Sequence, residues 1–189
     1  MLMTLQSRST FIRTMERAML SPETEFAGGS AIISECGRYR YSLERSGDAL
    51  TAGADRAAFV MLNPSTADST LDDPTIRRCR AFAKLWGCDG VIVGNLYAFR
   101  STDPSALWAC DDPVGPENDD HLYTLGICPG RIVCAWGANA REDRVRAVVS
   151  LLRDVGASLL CLGVTKSGAP RHPLYVASDQ SLVEWVPNI

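Results

Sequence analysis

Four short segments of this chain are apolar at almost every position: Ala57-Ala58-Phe59-Val60-Met61-Leu62, Val91-Ile92-Val93, Ile132-Val133-Cys134-Ala135 and Ser158-Leu159-Leu160-Cys161-Leu162. A strand with one face in water alternates apolar and polar residues. Segments this short that do not alternate are covered on both faces, the condition of parallel strands with helices packed above and below.

Helical patterns lie between them, each with its own punctuation. Asp73-Pro74 sets a side-chain acceptor at the N-cap and a proline at the first helical position. Ile76, Cys79, Phe82, Ala83 and Trp86 then form one apolar stripe, which Gly87 stops. A second helix starts near Pro116-Glu117, with acids in its first turn where the helix dipole favours them, and carries Leu122 and Leu125. The third runs from about Asn139 to Val155, with Val145, Val148, Leu152 and Val155 spaced by three and four and Gly156 as its stop. A last short helix is expected over 179–186, holding Leu182, Val183 and Trp185.

Upstream, Ala31 to Ser34 and Tyr39 to Leu43 flank Gly37 as a β hairpin. The order predicts an α/β fold: a three-layer α/β/α sandwich with a mainly parallel four-stranded central sheet plus an N-terminal β hairpin. No repeat or low-complexity tract interrupts it. Residues 30–189 read as a single α/β domain, and 1–29 as a frayed leader or an over-extended start upstream of Met15 or Met19.

Composition narrows the function classes. A chain of 189 residues with 46% hydrophobic and 22% charged residues is that of a soluble globular domain. No apolar run approaches the roughly 20 residues of a membrane-spanning helix. The net charge of −3 argues against a protein that coats nucleic acid by bulk charge. Five of the acids, Asp111, Asp112, Glu117, Asp119 and Asp120, cluster in one stretch, and without them the rest of the chain is net positive. A small, locally basic pocket is therefore compatible with the sequence. The seven cysteines form no C-x-x-C pair and most sit in apolar runs, as buried reduced thiols of a cytoplasmic protein do. With only His121 and His172 beside them, neither a metal nor another cofactor is expected.

In open α/β sheets, ligands bind beyond the carboxyl ends of the strands, so the residues that follow each apolar run are the candidates. They are Asn63-Pro64-Ser65-Thr66-Ala67-Asp68, the stretch from Gly94-Asn95 to Arg100-Ser101-Thr102, Trp136-Gly137-Ala138-Asn139, and the loop from Gly163 to Pro173. Turn chemistry accounts for part of this, since Asn, Gly and Pro begin and end turns anywhere. The last loop is the sharpest, because it holds one of only two lysines and one of only two histidines. Lys166, Arg171 and His172 there, with the amides of Ser167 and Gly168, offer donors suited to an anion or a carbonyl oxygen. Arg100 to Thr102 form a second polar cluster fit for a phosphate, or for an ion pair with Asp103. Arg77, Arg78 and Arg80 read as a solvated helix face. Asp68, Asp72 and Asp73 are available as bases or metal ligands, although Asp73 is already accounted for as a cap.

The order Leu62-Asn63-Pro64, then Gly94-Asn95-Leu96 with Arg100-Ser101-Thr102, then Trp136-Gly137-Ala138, then His172-Pro173 resembles the motif order of the uracil-DNA glycosylase superfamily over roughly Ala57 to Tyr175. Its mismatch-specific and single-strand-selective branches are the nearest in flavour. The chain as a whole also resembles domain of unknown function 1643, through Met61 to Asp68, Asp72 to Arg78 and Pro170 to Tyr175. The first resemblance implies a uracil-DNA glycosylase-like fold and hydrolysis of an N-glycosidic bond in DNA or a nucleotide. Asn63 would orient the attacking water and His172 would donate to the base oxygen as negative charge develops there. Asn95 would read the base edge, and Tyr97, Phe99 or Trp136 would stack on the base. Arg100, Lys166 and Arg171 would hold phosphates, and Pro64, Ser65, Thr66, Thr102 and Ser167 would line the substrate. Two other readings remain open at this point: a non-catalytic binder of nucleic acid or nucleotide, and a structural domain whose loops are only turns and caps.

Overall fold

The computed structural model describes residues 28–47, 55–65, 72–128 and 130–187. The four apolar runs become β3 (Arg56–Met61), β4 (Gly90–Asn95), β5 (Gly130–Cys134) and β6 (Leu159–Cys161). They pair in parallel in the spatial order β4, β3, β5, β6, with Phe59 level with Val93 on one side and Val133 on the other.

The sheet has seven strands where a four-stranded sheet with a hairpin beside it was expected. The hairpin strands β1 (Gly29–Ile33) and β2 (Arg40–Ser46) join it, because β2 pairs antiparallel with β4. At the other edge β7 (Val183–Glu184) pairs antiparallel with β6. The helix expected over 179–186 is therefore an edge strand, which puts the Trp185 amide on the Leu159 carbonyl at 2.9 Å and buries the indole. Of the expected leader, only Gly28 and Gly29 fall within the described residues, and Gly29 opens β1.

Helices cover both faces. On one side α1 (Pro74–Leu85) sets Ile76, Cys79 and Phe82 against Ala57, Phe59, Val91 and Val93. Short α2 (Pro104–Ala109), α3 (Asn118–Ile127) and α4 (Glu142–Asp154) lie on the other, where Leu122, Val148 and Leu152 meet Ala58, Val60, Ile92 and Ile132. Adjacent residues of β3 thus enter opposite cores, which explains why this strand does not alternate in sequence. Removing a side chain such as Phe82, almost fully buried, would cost about 3 to 5 kcal/mol. The helix punctuation is as expected: Asp73 caps Ile76 N at 2.8 Å, and Gly87 and Gly156 take positive φ just past their helices. Sequence reading passed over α2, although Asp103-Pro104 repeats the Asp-Pro signature of α1 and Asp103 accepts from Ser105 N at 2.8 Å.

This topology fixes where a site can form. From β3 the chain moves outward to β4 and then crosses back to β5 on the far side of β3, so the connections leaving β3 and β5 turn to opposite faces. The resulting crevice lies above the carboxyl ends of these two strands.

Candidate functional site at the carboxyl ends of the parallel strands

The loops after β3 and β4 are laced together by main-chain bonds: Leu96 N to Met61 O, Tyr97 N to Leu62 O and Ser101 N to Pro64 O, at 2.8, 3.0 and 3.0 Å. Pro64 is buried and its carbonyl is occupied, so it shapes the loop. Asn63 is held by its amide, whose Nδ2 donates to Ser101 O at 2.9 Å and Pro64 O at 3.2 Å. With the nitrogen so used, Oδ1 is the end left to accept a hydrogen.

Asn95 ends β4. The alternation that turns Val91 and Val93 toward α1 turns Asn95 to that side as well. Its side chain is fully buried, and neither Oδ1 nor Nδ2 has a partner. A buried amide without hydrogen bonds costs about 1 to 3 kcal/mol, so proteins rarely keep one.

Asp73, set aside as a cap at the level of sequence, is central here. One carboxylate oxygen caps α1, and the other accepts from Ser65 Oγ at 2.6 Å. Its charge also acts on two further groups. Burial holds the His172 imidazole below the ordinary histidine range, with Asp73 pulling the other way. Burial likewise brings the Arg40 guanidinium down to about 10, again opposed by Asp73 and assisted by the nearby Arg100 and Arg45. Arg40 stays cationic at neutral pH although almost wholly buried. Its position departs from a polar series, Arg38, Arg40, Ser42 and Glu44, that looks like the wet face of a strand. A register shift between Ile32 and Ile33, opposite Arg40, accounts for the departure.

His172 precedes a single 3₁₀ turn over Pro173–Tyr175, and its Nδ1 accepts from Leu174 N at 3.3 Å. In the neutral ring the proton then sits on Nε2, which becomes a donor. The turn is anchored from α1: Arg78 donates to Pro173 O at 3.3 Å and Val176 O at 2.7 Å and stacks over Phe82. Arg78 is thus a positioning group and not part of a solvated face, whereas Arg77 and Arg80 are exposed. The signal for this was present, since Arg78 and core-facing Phe82 stand one helical turn apart. Gly137 approaches from β5 with φ +77°, and a Cβ there would lie 3.9 Å from His172 Cβ. Tyr175, 79% exposed, sets its ring 5.6 Å from the imidazole.

The remaining candidates divide. Lys166, Ser167 and Arg171 stand exposed on the hairpin of 163–171, where Ser167 pairs with Thr165 at 2.9 Å and Arg171 Nε donates to Val164 O at 3.1 Å. Arg100 donates to Gly37 O at 3.1 Å, and Thr102 is exposed. Thr66, with Ala67 and Asp68, lies outside the described residues. Tyr97 and Trp136 are core residues rather than open stacking platforms, and half-buried Phe99 packs on Tyr39. Of the acids, Asp72 is tied to Arg45 at 2.7 Å and Arg80 at 2.8 Å, with its carboxyl held below the usual range: burial raises it, and these two arginines more than offset that.

Among the described residues, one cavity lies along α1 and another along α4. The larger, about 540 Å³, lies along α1 near the amino end of β4, between Gly47, Arg77, Arg80, Lys84, Gly87 and Gly90. It is remote from the strand carboxyl ends. The smaller, about 330 Å³, is bounded by Trp136, Gly137, Ala140, Val145, Ser167 and Trp185 and adjoins the crevice. Among the described residues, no group of three metal-ligating side chains converges, and no helix is long and apolar enough to cross a membrane. All seven cysteines carry free thiols, Cys36 exposed and Cys79, Cys88, Cys134 and Cys161 buried.

In comparisons with known proteins, the family described as "Protein of unknown function (DUF1643)" matches residues 40–174. No curated protein and no solved structure matches the chain.

Proposed function

The chain belongs to the DUF1643 family of proteins of unknown function, and from the site itself we propose that it recognises a nucleobase and hydrolyses its N-glycosidic bond. The observation that carries the reading is the buried, unpartnered carboxamide of Asn95. An asparagine side chain offers a donor and an acceptor side by side, the pattern on the edge of a base that bears a ring N–H next to a carbonyl. The partner is DNA or a nucleotide, and the reading needs no metal and no cofactor.

Each remaining group has a step to perform. Asn63 Oδ1 accepts a hydrogen bond from a water and aims its oxygen at the anomeric carbon. The carbon–nitrogen bond breaks with its electron pair leaving on the base, the water oxygen bonds to the anomeric carbon, and the proton it sheds ends on the anionic base. His172 Nε2–H donates to the base oxygen on which that charge collects, an interaction worth about 3 to 4 kcal/mol in comparable oxyanion sites. Asp73, already charge-coupled to His172 and Arg40, supplies the negative charge that balances a cationic sugar. Lys166 and Arg171 meet the phosphates.

The test uses oligonucleotides that carry uracil, hypoxanthine or hydroxymethyluracil, with the free nucleosides alongside. Asn63→Ala and His172→Ala should each lose base release by about 10² to 10³ while keeping the parent circular dichroism. Unchanged release in both variants overturns the assignment. Binding without release in the parent would leave a nucleobase-binding module and remove the hydrolytic step.

A further inference from the structure

We propose that the 540 Å³ cavity along α1 is a second ligand site, which takes a small anion with two or three phosphates in line, either a free polyphosphate or the phosphate chain of a nucleotide. The cavity lies near the amino end of β4, away from the crevice, so this site is independent of the nucleobase reading. Helix periodicity places its cations. Arg77, Arg80 and Lys84 are three and four residues apart, which sets them on one side of α1 over about 10 Å of its axis. All three are exposed and line the cavity. Two more cations stand behind the lining: Arg45 Nε lies 2.7 Å from Asp72 Oδ1, and Arg131 Nη1 donates to Cys88 Sγ at 3.1 Å.

Charge and shape together select the occupant. Asp72 is the one acid among the described lining residues, and Arg45 and Arg80 already share it. Asp89 approaches from outside the lining, with its carboxylate against Gly47. Arg77 donates to the main-chain carbonyl of Asp72, a neutral acceptor that leaves the guanidinium charge in place. Five cations therefore meet two carboxylates around a walled space, where attraction for an anion is screened less than on an open surface. The wall opposite the helix is formed by Ser46, Gly47, Gly87 and Gly90 and carries almost no side chain, and at Gly87 the place of a Cβ is open. An occupant can thus approach main chain on one side and forked guanidinium groups on the other, the surroundings that phosphate oxygens bind. No aromatic ring lines the cavity, so the site reads charge and not a base face. Its volume lies within the range of small-ligand sites, and cations spread over three positions suit several phosphates in a row better than one.

Calorimetry on the full chain, at one ionic strength, compares inorganic phosphate, pyrophosphate, tripolyphosphate and ATP. Affinity should rise about tenfold or more from phosphate to tripolyphosphate. Ala81→Glu sets a carboxylate among the three cations at an exposed position of the lining, one helical turn from both Arg77 and Lys84, where its own ion pairs support α1. It should weaken tripolyphosphate binding about tenfold or more, with the melting temperature level or higher. Arg77→Gln should weaken it in the same direction. Arg146→Gln, which removes an equal charge from the exposed face of α4, should leave it unchanged. ATP binding that is lost in Ala81→Glu and is tighter than that of tripolyphosphate makes the ligand a nucleotide; ATP binding no tighter makes it the phosphate chain alone. Equal affinity for phosphate and tripolyphosphate, binding unmoved by Ala81→Glu, an equal loss in Arg146→Gln, or no binding of any of the four overturns the site. Should Ala81→Glu change the circular dichroism, Arg77→Gln makes the same comparison.

Discussion

Two asparagines, Asn95 and Asn118, are fully buried near the end of β4 on opposite faces of the sheet, and they are used differently. On the α3 side, Asn118 Nδ2 donates to Asn95 O at 3.0 Å and Leu96 O at 3.1 Å, although its Oδ1 has no partner. Arg144 adds a bond to Leu96 O at 2.7 Å and an ion pair with Asp119 at 2.6 Å. That side ties down the strand end. On the α1 side the Asn95 carboxamide has no partner, and Asp73 acts on both His172 and Arg40. On one face the asparagine's amide nitrogen is spent on two carbonyls at the strand end, while on the other neither end of the amide has a partner.

The largest expected effect follows from Asn95→Leu. Binding and base release should fall by at least 10², while the melting temperature stays level or rises, because the substitution removes an unsatisfied amide and keeps the volume. A melting temperature that drops as it does for Asn118 would make Asn95 a structural residue and dissolve the contrast. Next comes Asn118→Leu, which takes the side-chain donor from the Asn95 carbonyl while Arg144 still serves Leu96. A loss of about 2 kcal/mol is expected, or roughly 4 to 8 °C for a domain of this size, read by thermal melts in which the surviving folded protein still binds.

The fold was more legible than the site, and particular residues show why. The four parallel strands stood out because burial on both faces removes alternation, and α1 because Asp73-Pro74 and Gly87 are local signals. β7 did not, since two residues carry no period and its pairing with Leu160 and Cys161 is set by a strand more than twenty positions away. Among site residues, Asn63, Asn95 and His172 could be chosen because they follow apolar runs. Arg40 could not, because its inward turn depends on an irregularity of the β1–β2 pairing, in which Ile32 and Ile33 face Ser42 and Arg40 and Tyr41 is passed over. Asp73 was visible but assigned one task, and only the three-dimensional approach of Ser65, His172 and Arg40 gives it a second.

The chain's two histidines, like the two buried asparagines, divide between the faces. His121 on α3 stacks on Tyr41, with ring centroids 4.8 Å apart and planes 10° from parallel, and burial takes its pKa down to about 4. His172 is also lowered by burial, but it stands beside Asp73 in the crevice. In the folded protein His121 stays neutral down to about pH 4, whereas an unfolded chain takes up the proton near 6.5. The unfolded state therefore binds more protons between these values. The stability held by neutral His121 is full above about 6.5 and is lost as pH falls toward about 4. His121→Phe keeps a ring on Tyr41 and removes the proton. The difference in melting temperature between parent and variant should then change by up to a one-proton slope across this window, with contributions from Asp72 and the other carboxylates cancelling. Base release by the variant at pH 7 should equal that of the parent. A flat difference curve would show that burial does not hold His121 neutral, and a loss of base release would place both histidines in one functional unit.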